Sequence, residues 1–264
     1  MDKPRFIFRG NAVGVGGHIS DPEDVILWVQ GSSSLPVIGG YSRSATERIK
    51  FADYLSADSV KTQTNGDFSE KEQAFKTVAT STVRHVSITQ RLTAETLDAT
   101  LISTHPVDGR EPTIVPTGTT VTNLRLDGYP ITVKLDVDLF TKYGTLASLS
   151  KAYASDDAFF KRYGSRFQSS ETKGTTPKPR GKRELPVVSG YVMCSIVDEI
   201  RTDHPKARVA GNVITLPGFG RIYLGELLIT SVSRRLTLLR VKLGSPVTGD
   251  MACSEVEDNG IIII

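Results

Sequence analysis

The sequence predicts a mainly β protein, an antiparallel sandwich or roll with a short helical insertion. Apolar residues recur at every second position through residues 80–103, and the same alternation returns in residues 121–135 and 213–243. A period of two places one row of side chains in a core and the other row in solvent. Glycine and proline separate these runs where the chain must turn, which is typical of antiparallel architectures.

Other segments predict further strands and turns. Residues 6–38 consist of short apolar pieces separated by glycine and proline, which indicates strands joined by tight turns. Residues 41–75 are polar and irregular, so we expect loop or short strands there, with a turn at Asn65-Gly66. Asp127-Gly128 stands between two alternating arms and predicts a tight hairpin.

The periodicity changes after residue 138. Apolar residues up to residue 167 fall three or four apart, which predicts two short amphipathic helices, and Ser155 followed by two aspartates predicts a helix N-cap. Residues 169–183 are polar, basic and proline-bearing, the composition of a mobile linker. We therefore predict one β domain made of residues 1–137 and 185–264, interrupted at 138–184 by a helical insertion and a basic flexible loop.

The composition argues against several classes of protein. The chain has 32 Lys and Arg against 29 Asp and Glu, and a formal charge of +3 does not direct the whole chain to nucleic acid. The sequence contains no run of about 18 apolar residues, so we predict no membrane-spanning helix. Charges within the first ten residues predict no cleavable signal peptide, so we expect cytoplasmic synthesis or leaderless export. The chain is long enough to bury a core without a disulfide or metal.

We predict no catalytic residue, cofactor or metal site. The glycines at positions 14, 16 and 17 lack the following helix and lysine of a phosphate-binding loop, and a structural turn is the favoured interpretation. No two histidines have the spacing of metal ligands. The four histidines are His18, His85, His105 and His204.

Two sets of charged residues have alternative interpretations. Arg234, Arg235 and Arg240 could bind phosphate together with the basic loop, but no aromatic residues are interleaved with them, so exposed arginines that guard a strand edge are favoured. Glu226 lies among leucines and would need a partner or a raised pKa if it pointed inward. An outward position is the favoured interpretation, because ionised carboxylates are seldom buried.

Two apolar groups are candidates for contact with other chains. The aromatic residues of the insertion could dock on a neighbour or cover their own core: Phe159, Phe160, Tyr163 and Phe167. The terminal isoleucines form a β-prone tail that could pair with a neighbouring sheet edge or serve only packing: Ile261, Ile262, Ile263 and Ile264.

Two turn motifs carry a family resemblance. The turn Gly128-Tyr129-Pro130-Ile131 and the step Leu216-Pro217-Gly218-Phe219-Gly220 stand in residues 80–135 and 210–243, which resemble choice-of-anchor domains of bacterial surface proteins. The resemblance implies a β-rich domain of bacterial origin without catalytic residues. The helical insertion and the lack of a recognisable export signal depart from that group.

Together these features predict a non-enzymatic structural or self-assembly protein, most simply a homo-oligomer or part of a larger bacterial particle. The alternative is a small-molecule or glycan-binding module, possibly hydrolytic, with a pocket where the insertion meets the sheet. Trp28 and Glu226 would then be the residues of interest.

Overall fold

A computed structural model describes residues 5–167 and 183–263 as two antiparallel β-sheets packed face to face. Each sheet has nine strands within these residues. A few short helices lie in residues 137–167 of the chain. The predicted mainly β sandwich with a short helical insertion is confirmed. No helix within the described part of the chain has the length and apolar character needed to cross a membrane.

The elements follow one another in a fixed order. The strands before the helices are β1 (Arg5–Asp21), β2 (Val25–Ser34), β3 (Gly40–Phe51), β4 (Leu55–Ser69), β5 (Ala74–Ile88), β6 (Leu92–Pro106), β7 (Thr113–Val115), β8 (Thr120–Thr122), β9 (Leu124–Leu126) and β10 (Tyr129–Leu135). The helices are α1 (Val137–Lys142), α2 (Leu146–Ser155), α3 (Asp157–Tyr163) and a 3-10 turn (Gly164–Phe167). The remaining strands are β11 (Val187–Val188), β12 (Tyr191–Ser195), β13 (Val197–Thr202), β14 (Arg208–Ala210), β15 (Val213–Leu216), β16 (Gly220–Ile229), β17 (Ser233–Leu243) and β18 (Thr248–Ile263).

The two sheets are stacked with their strand orders aligned. The first sheet, sheet A, runs β11-β12-β16-β17-β18-β1-β2, with β15 also paired to β16 and β14 to β15. The second, sheet B, runs β13-β10-β9-β6-β5-β4-β3, with β7 and β8 also paired to β6. Strands β1 and β18 lie over β4, β5 and β6, while β2 lies beside β3. One side of the sandwich therefore ends in β2 and β3, and the opposite side ends in β11 and β13.

Turn chemistry explains the predicted hairpin. Asp127 and Gly128 both have positive φ, +50° and +81°, and they join β9 to β10 with Leu126 paired to Tyr129. Positive φ at both central residues twists a two-residue turn in the sense that antiparallel strands require, and Asp-Gly tolerates it. The hairpin predicted at this position is confirmed.

The prediction of loop or short strands in residues 41–75 was wrong. Two long strands, β3 and β4, cover most of this segment, and Asn65-Gly66 lies inside β4 rather than in a turn. The interior facing β4 is partly polar, since Thr62 and Thr64 are buried. A threonine that faces a core gives no apolar alternation, so the period of two is hidden in the sequence.

The predicted glycine turn near position 14 was also wrong. Gly14, Gly16 and Gly17 lie within β1, which continues without a break to Asp21. Gly14 lies against sheet B: a Cβ there would overlap the Val60 side chain and approach the Gln30 carbonyl oxygen to 2.5 Å. Glycine is needed here for close approach of backbone to a neighbour rather than for a turn.

The insertion contains three helices rather than two. Asp136, Thr145 and Asp156 are the N-caps of α1, α2 and α3, and each side chain accepts a hydrogen bond from a first-turn backbone N–H. The predicted cap at Ser155 is therefore displaced by one residue, because Ser155 ends α2. Of the predicted mobile linker at 169–183, all but Arg183 lies outside the described residues.

Arg234 of sheet A forms hydrogen bonds with the insertion. Its side chain is buried, and its Nη2 donates to the carbonyl oxygens of Gly144 at 2.8 Å and Tyr143 at 3.4 Å. Burial lowers the pKa of this guanidinium to about 10. The interpretation of Arg234 as an exposed edge arginine was wrong, because β17 is an inner strand.

A transverse crease crosses each sheet. In sheet A the regular pairing is interrupted at one level in five adjacent strands, β16, β17, β18, β1 and β2. In sheet B the pairing is interrupted in β3, β4, β5 and β6. Positive φ recurs in every second strand along each crease. The crease residues are Gly225, Leu238, Ser254, Gly14 and Gly31 in sheet A and Arg48, Asp58, His85, Glu95 and Asn123 in sheet B.

Hydroxyl groups bridge the two sheets at this level. The Ser81 hydroxyl of sheet B donates to the Val13 carbonyl of sheet A at 2.8 Å. The buried Ser254 hydroxyl donates to the Ser81 carbonyl at 2.7 Å and accepts from the Ala99 N–H at 3.1 Å. These hydrogen bonds join the two sheets directly at the level of the sheet A crease, and we call this level the hydrogen-bonded waist.

We expect Gly14→Ala to lower the free energy of unfolding by about 3 kcal/mol, because the added methyl overpacks the waist. Gly16→Ala is the matched control in the same strand, since its nearest new contact, a Val29 methyl, is at 3.2 Å. We expect a loss below about 1 kcal/mol for the control. Urea denaturation measures both, and equal losses would contradict the close approach at position 14.

Candidate functional site

Exposed apolar side chains occur in two groups along the side of the sandwich formed by β2 and β3, one on β2 and one where the chain passes from β2 to β3. Trp28 is 68% exposed and Ile38, in the connecting segment, is 85% exposed. Within the described part of the chain, β2 pairs only with β1 and β3 only with β4. We call this surface the β2–β3 edge, and its exposed large apolar residues are Ile26, Trp28, Val29, Val37, Ile38 and Tyr41.

A second, smaller apolar surface lies at the opposite end of sheet A. Val187 is 61% exposed, and Val188 and Tyr191 are also exposed. Strand β11 pairs with β12 alone among residues 5–167 and 183–263. We call this surface the β11–β12 edge. Each end of sheet A therefore presents unpaired backbone groups beside exposed apolar side chains.

Strands β2, β11 and β12 lack the charges that usually protect an edge, whereas β14, which pairs with β15 at the edge of sheet A, carries Arg208. Strand β2, VILWVQGSSS, has no charged residue, and residues 187–195, VVSGYVMCS, have none either. Lysine, proline and charged side chains are the ordinary means of preventing a bare edge from pairing with another chain. Both ends can thus accept a further strand through backbone hydrogen bonds and apolar contact.

Sequence reasoning did not single out these edge residues as contacts. Trp28 drew attention only as a possible ligand-binding aromatic, and the others drew none. The signal was present in the uncharged run of β2, but an uncharged strand in the middle of a sheet looks the same. Only the strand order distinguishes the two cases.

The aromatic contact candidates of the insertion lie mainly in the core. Phe159 and Phe167 are buried, and Phe160 and Tyr163 are partly buried and packed against the same core. Tyr153 packs edge-on against Phe160 with ring centroids 5.1 Å apart. These four residues cover the chain's own interior, so we place the proposed contact surface elsewhere.

The isoleucine tail pairs within its own chain. Ile261, Ile262 and Ile263 lie in β18 and pair with Ile7, Phe6 and Arg5 of β1. Ile262 also packs against the small aromatic cluster around Phe6. Ile264 lies outside the described residues. Ile261 and Ile263 are nevertheless partly exposed, at 42% and 44%.

The structure does not bring Trp28 and Glu226 together. Trp28 is on β2 and Glu226 is on β16, with β17, β18 and β1 between them in sheet A. Glu226 accepts two hydrogen bonds from Arg240, at 2.6 and 2.8 Å, and Arg240 stacks on the Tyr223 ring at 3.9 Å. Glu226 therefore has a fixed structural partner on the adjacent strand.

A cleft of about 460 Å³ lies between α1 and α3. Its walls include Asp136, Asp138, Asp156, Lys142 and Arg162. Two of the three carboxylates already act as helix N-caps, Asp136 to the Leu139 N–H and Asp156 to the Phe159 N–H. The cleft has the volume of a small-ligand site, and three of its six aspartate oxygen atoms already bond to helix N–H groups or to Arg166.

One serine, one histidine and one aspartate are buried in the same part of the interior. Ser103 and His105 of β6 and Asp258 of β18 are each at most 3% exposed. His105 Nε2, Ser103 Oγ and both Asp258 carboxylate oxygens lack a well-formed hydrogen bond. A nucleophile and its base must bond to one another and reach substrate, so this group is no hydrolytic triad in the structure.

These residues instead belong to a buried polar layer. Along β1, β5, β6 and β18 the inward positions change from apolar to polar or glycine and then to aromatic or apolar again. The layer separates the main core from a second cluster formed by Phe6, Phe8, Leu35 and Phe75. We define the polar layer as Thr64, Thr77, Ser103, His105 and Asp258.

Burial dominates the electrostatics of this layer. It raises the pKa of Asp258 well above the ordinary value, although the Ser103 hydroxyl and the Asn259 N–H act in the opposite direction. It lowers the pKa of His105 to about 4. Burial therefore disfavours the charged form of both groups.

The described residues contain neither a cluster of possible metal ligands nor an exposed cysteine. No group of three or more His, Cys, Asp or Glu side chains within it could hold a metal ion. Cys194 and Cys253 are buried and unpaired with each other, and burial raises the pKa of each thiol to about 12. Buried thiols of this kind are poor nucleophiles.

We expect Asp258→Asn to be more stable than the wild-type protein at pH 7. A carboxyl whose pKa is raised on folding stabilises the fold below its unfolded pKa of about 4, and that contribution is lost as pH rises through the folded pKa. The neutral amide avoids this loss. Urea unfolding from pH 3.5 to 8 should show the two curves converging at low pH and diverging above pH 5; a constant offset would contradict the assignment.

Comparison with known proteins gives a family but no activity. No curated protein and no solved structure matches the chain. One family model matches residues 6–230, from the start of β1 to the end of β16. The matched part therefore spans most of both sheets and the whole insertion. The chain belongs to the family described as Domain of unknown function (DUF8256).

Proposed function

We propose that this protein is a non-enzymatic structural protein that assembles with copies of itself through the edges of its β-sandwich. The observation that carries the proposal is strand β2, which is uncharged and paired on one side only, with Trp28 exposed on it and Ile38 exposed in the segment that follows it. Burying two such side chains at an interface removes a large apolar area from water. Tryptophan is also prominent among residues that dominate interface energetics.

The surrounding structure supports a scaffold role. Inter-sheet hydrogen bonds and a closely packed waist fix the relative position of the two sheets. A stiff sandwich presents its edges in a constant geometry, which repeated assembly requires. Membership of a larger bacterial particle follows from the resemblance to choice-of-anchor domains and stays a prediction.

A small-molecule or glycan-binding module, possibly hydrolytic, is the alternative. Its two residues of interest do not share a pocket, since Trp28 and Glu226 lie on strands separated by three others. The cleft between α1 and α3 is the place that such a ligand would have to use. No paired acid and base there are free of a structural role in the way that a hydrolase needs.

We expect the wild-type protein to form larger species as its concentration rises, and Trp28→Lys with Ile38→Lys to weaken that assembly at least about 100-fold in dissociation constant. Two lysines at the contact would have to be desolvated without partners. Sedimentation velocity over a concentration series measures the effect.

Val232→Lys is the control, because Val232 is 44% exposed but lies in the turn between β16 and β17, with β17, β18 and β1 between it and the β2–β3 edge. It adds one positive charge and should leave assembly unchanged. A wild-type protein that keeps the mass of one chain at the highest attainable concentration would refute self-assembly. Equal weakening by the control would show that the β2–β3 edge is not the contact.

A further inference from the structure

Two buried side chains of opposite charge type, Arg234 and Asp258, lie directly opposite each other in sheet A. Arg234 of β17 is paired in register with Asp258 of β18, and the two are 1% and 0% exposed. Directly opposed side chains start about 4.5–5.5 Å apart and point to the same face of a sheet. Nevertheless, Arg234 Nη1 and both Asp258 carboxylate oxygens lack a well-formed hydrogen bond. A buried guanidinium and a buried acid are thus neighbours without a hydrogen bond between them.

The Arg234 guanidinium is turned toward the insertion instead. Its Nη2 donates to the carbonyl oxygens of Gly144 and Tyr143, which connect α1 to α2, and its central carbon lies 6.0 Å from the Phe140 ring centroid. The Gly144 carbonyl also accepts a hydrogen bond from the Ile114 N–H at 3.1 Å. If Arg234 moved away, this carbonyl would therefore keep one partner, and no buried acceptor would be left unpaired there.

The next register position shows that an arginine of β17 reaches the acid opposite it. Arg235 is paired with Glu257 on the outer face of the same two strands, and its Nη2 and Nε donate to the Glu257 carboxylate at 2.7 and 3.3 Å. Aspartate is one methylene shorter than glutamate, a difference that the long arginine side chain spans. Arg234 thus has two sets of acceptors within reach, the insertion carbonyls and the Asp258 carboxyl.

The protonation state of Asp258 decides which set is the better acceptor. A protonated carboxyl is neutral, and the two backbone carbonyls then compete well for the guanidinium. An ionised carboxylate forms short, charge-assisted and often bidentate hydrogen bonds with arginine. A buried carboxylate without a partner is also strongly unfavourable, whereas a nearby cation compensates it. Loss of the Asp258 proton therefore favours movement of Arg234 toward β18.

The inward positions around Asp258 include two other titratable side chains, Arg234 and His105. On the strands packed against β18 these positions are Arg234 on β17, Gly10 on β1, Ser103 and His105 on β6, and Thr77 on β5. Burial lowers the pKa of His105 to about 4, so His105 is uncharged above that pH. On β18 itself, Glu257 points outward and is bonded to Arg235.

The acidic groups near Arg234 have other roles or are held neutral. Glu111 accepts hydrogen bonds from the backbone N–H groups of Leu146 and Ala147. Burial raises the pKa of the Cys194 thiol to about 12. Asp258 is therefore the acid beside Arg234 whose oxygen atoms have no well-formed hydrogen bond of their own.

We propose that Arg234 is a switch with two positions, set by whether Asp258 carries a proton. With the carboxyl protonated, Arg234 bonds to the Tyr143 and Gly144 carbonyls and holds the connection between α1 and α2. When the proton leaves to solvent, Arg234 pairs with the carboxylate and this connection loosens. Tyr143 also lines the cleft between α1 and α3, so the switch acts on a wall of that cleft. The switch lies within one chain and does not depend on the proposed self-assembly.

Hydrogen exchange of the wild-type protein tests the switch. The Tyr143 N–H, bonded to the Leu139 carbonyl at 3.0 Å, reports on the end of α1, and the Ala99 N–H reports on the waist. Rates are measured by NMR from about pH 5 to about pH 9 and converted to protection factors, which removes the intrinsic pH dependence of exchange. As pH rises, Tyr143 should lose at least about 10-fold more protection than Ala99, because the connection loses its bonds to a charged donor.

Two variants that differ by one position identify the trigger. Asp258→Asn has no carboxyl proton to lose, so the pH-dependent loss of protection at Tyr143 should be absent. Glu257→Gln is the matched control, because it removes a carboxylate from the next residue of β18, on the outer face. The loss of protection should persist in the control. In the wild-type protein its midpoint should coincide with that of the Asp258 carboxyl carbon signal.

The opposite results overturn the switch. These are a wild-type protein without the relative loss at Tyr143, a loss that persists in Asp258→Asn, and a loss that disappears in Glu257→Gln. If Asp258→Asn does not fold, the two midpoints in the wild-type protein decide, and different midpoints refute the switch. Each result concerns motion within one chain, so failure here leaves the proposed self-assembly standing, and a monomeric protein leaves the switch standing.

Discussion

The inter-sheet waist is the constraint on which the rest of the fold depends. At the crease of sheet A, the buried hydroxyls of Ser81 and Ser254 bond to backbone groups of the facing sheet. This direct bridging requires the sheets to approach closely, which is why Gly14 and Gly31 lack a Cβ beside Val60. Hydrogen bonds are directional, so they fix the register between the sheets in a way that apolar contact alone does not.

Beyond the waist the interior is divided into layers rather than filled by one uniform core. The main core gives way to the polar layer, and the polar layer to the aromatic cluster around Phe6 and Phe75, whose rings stack at 4.5 Å. Unpaired buried polar groups such as the Asp258 carboxyl oppose stability. Strands β1 and β18 continue to pair beyond this layer as far as Ile263, so the sandwich is longer than its main core.

The sequence alone predicts the fold class because period-two alternation and the Asp127-Gly128 turn are local signals. It does not predict β3 and β4, because Thr62 and Thr64 face a polar interior and thus conceal the alternation. Arg234 misled for a related reason: an arginine in a strand suggests an exposed edge, yet its partners are carbonyl groups of the distant insertion. The edge surface is a property of strand order, which pairs residues more than 200 positions apart, as Ile7 with Ile261.

The unequal protection of the two sheets is what connects the fold to assembly. The outer strands of sheet B carry charges, Arg43 and Lys50 on β3 and Glu199 on β13, as natural edges usually do. Strands β2 and β11, at the two ends of sheet A, carry none, although β14 carries Arg208. If the protein acted as a monomer, the same need for protection would apply to both sheets, since they end side by side. Charged strands that fix orientation next to uncharged strands that supply burial are the division of roles expected at an interface between specific partners.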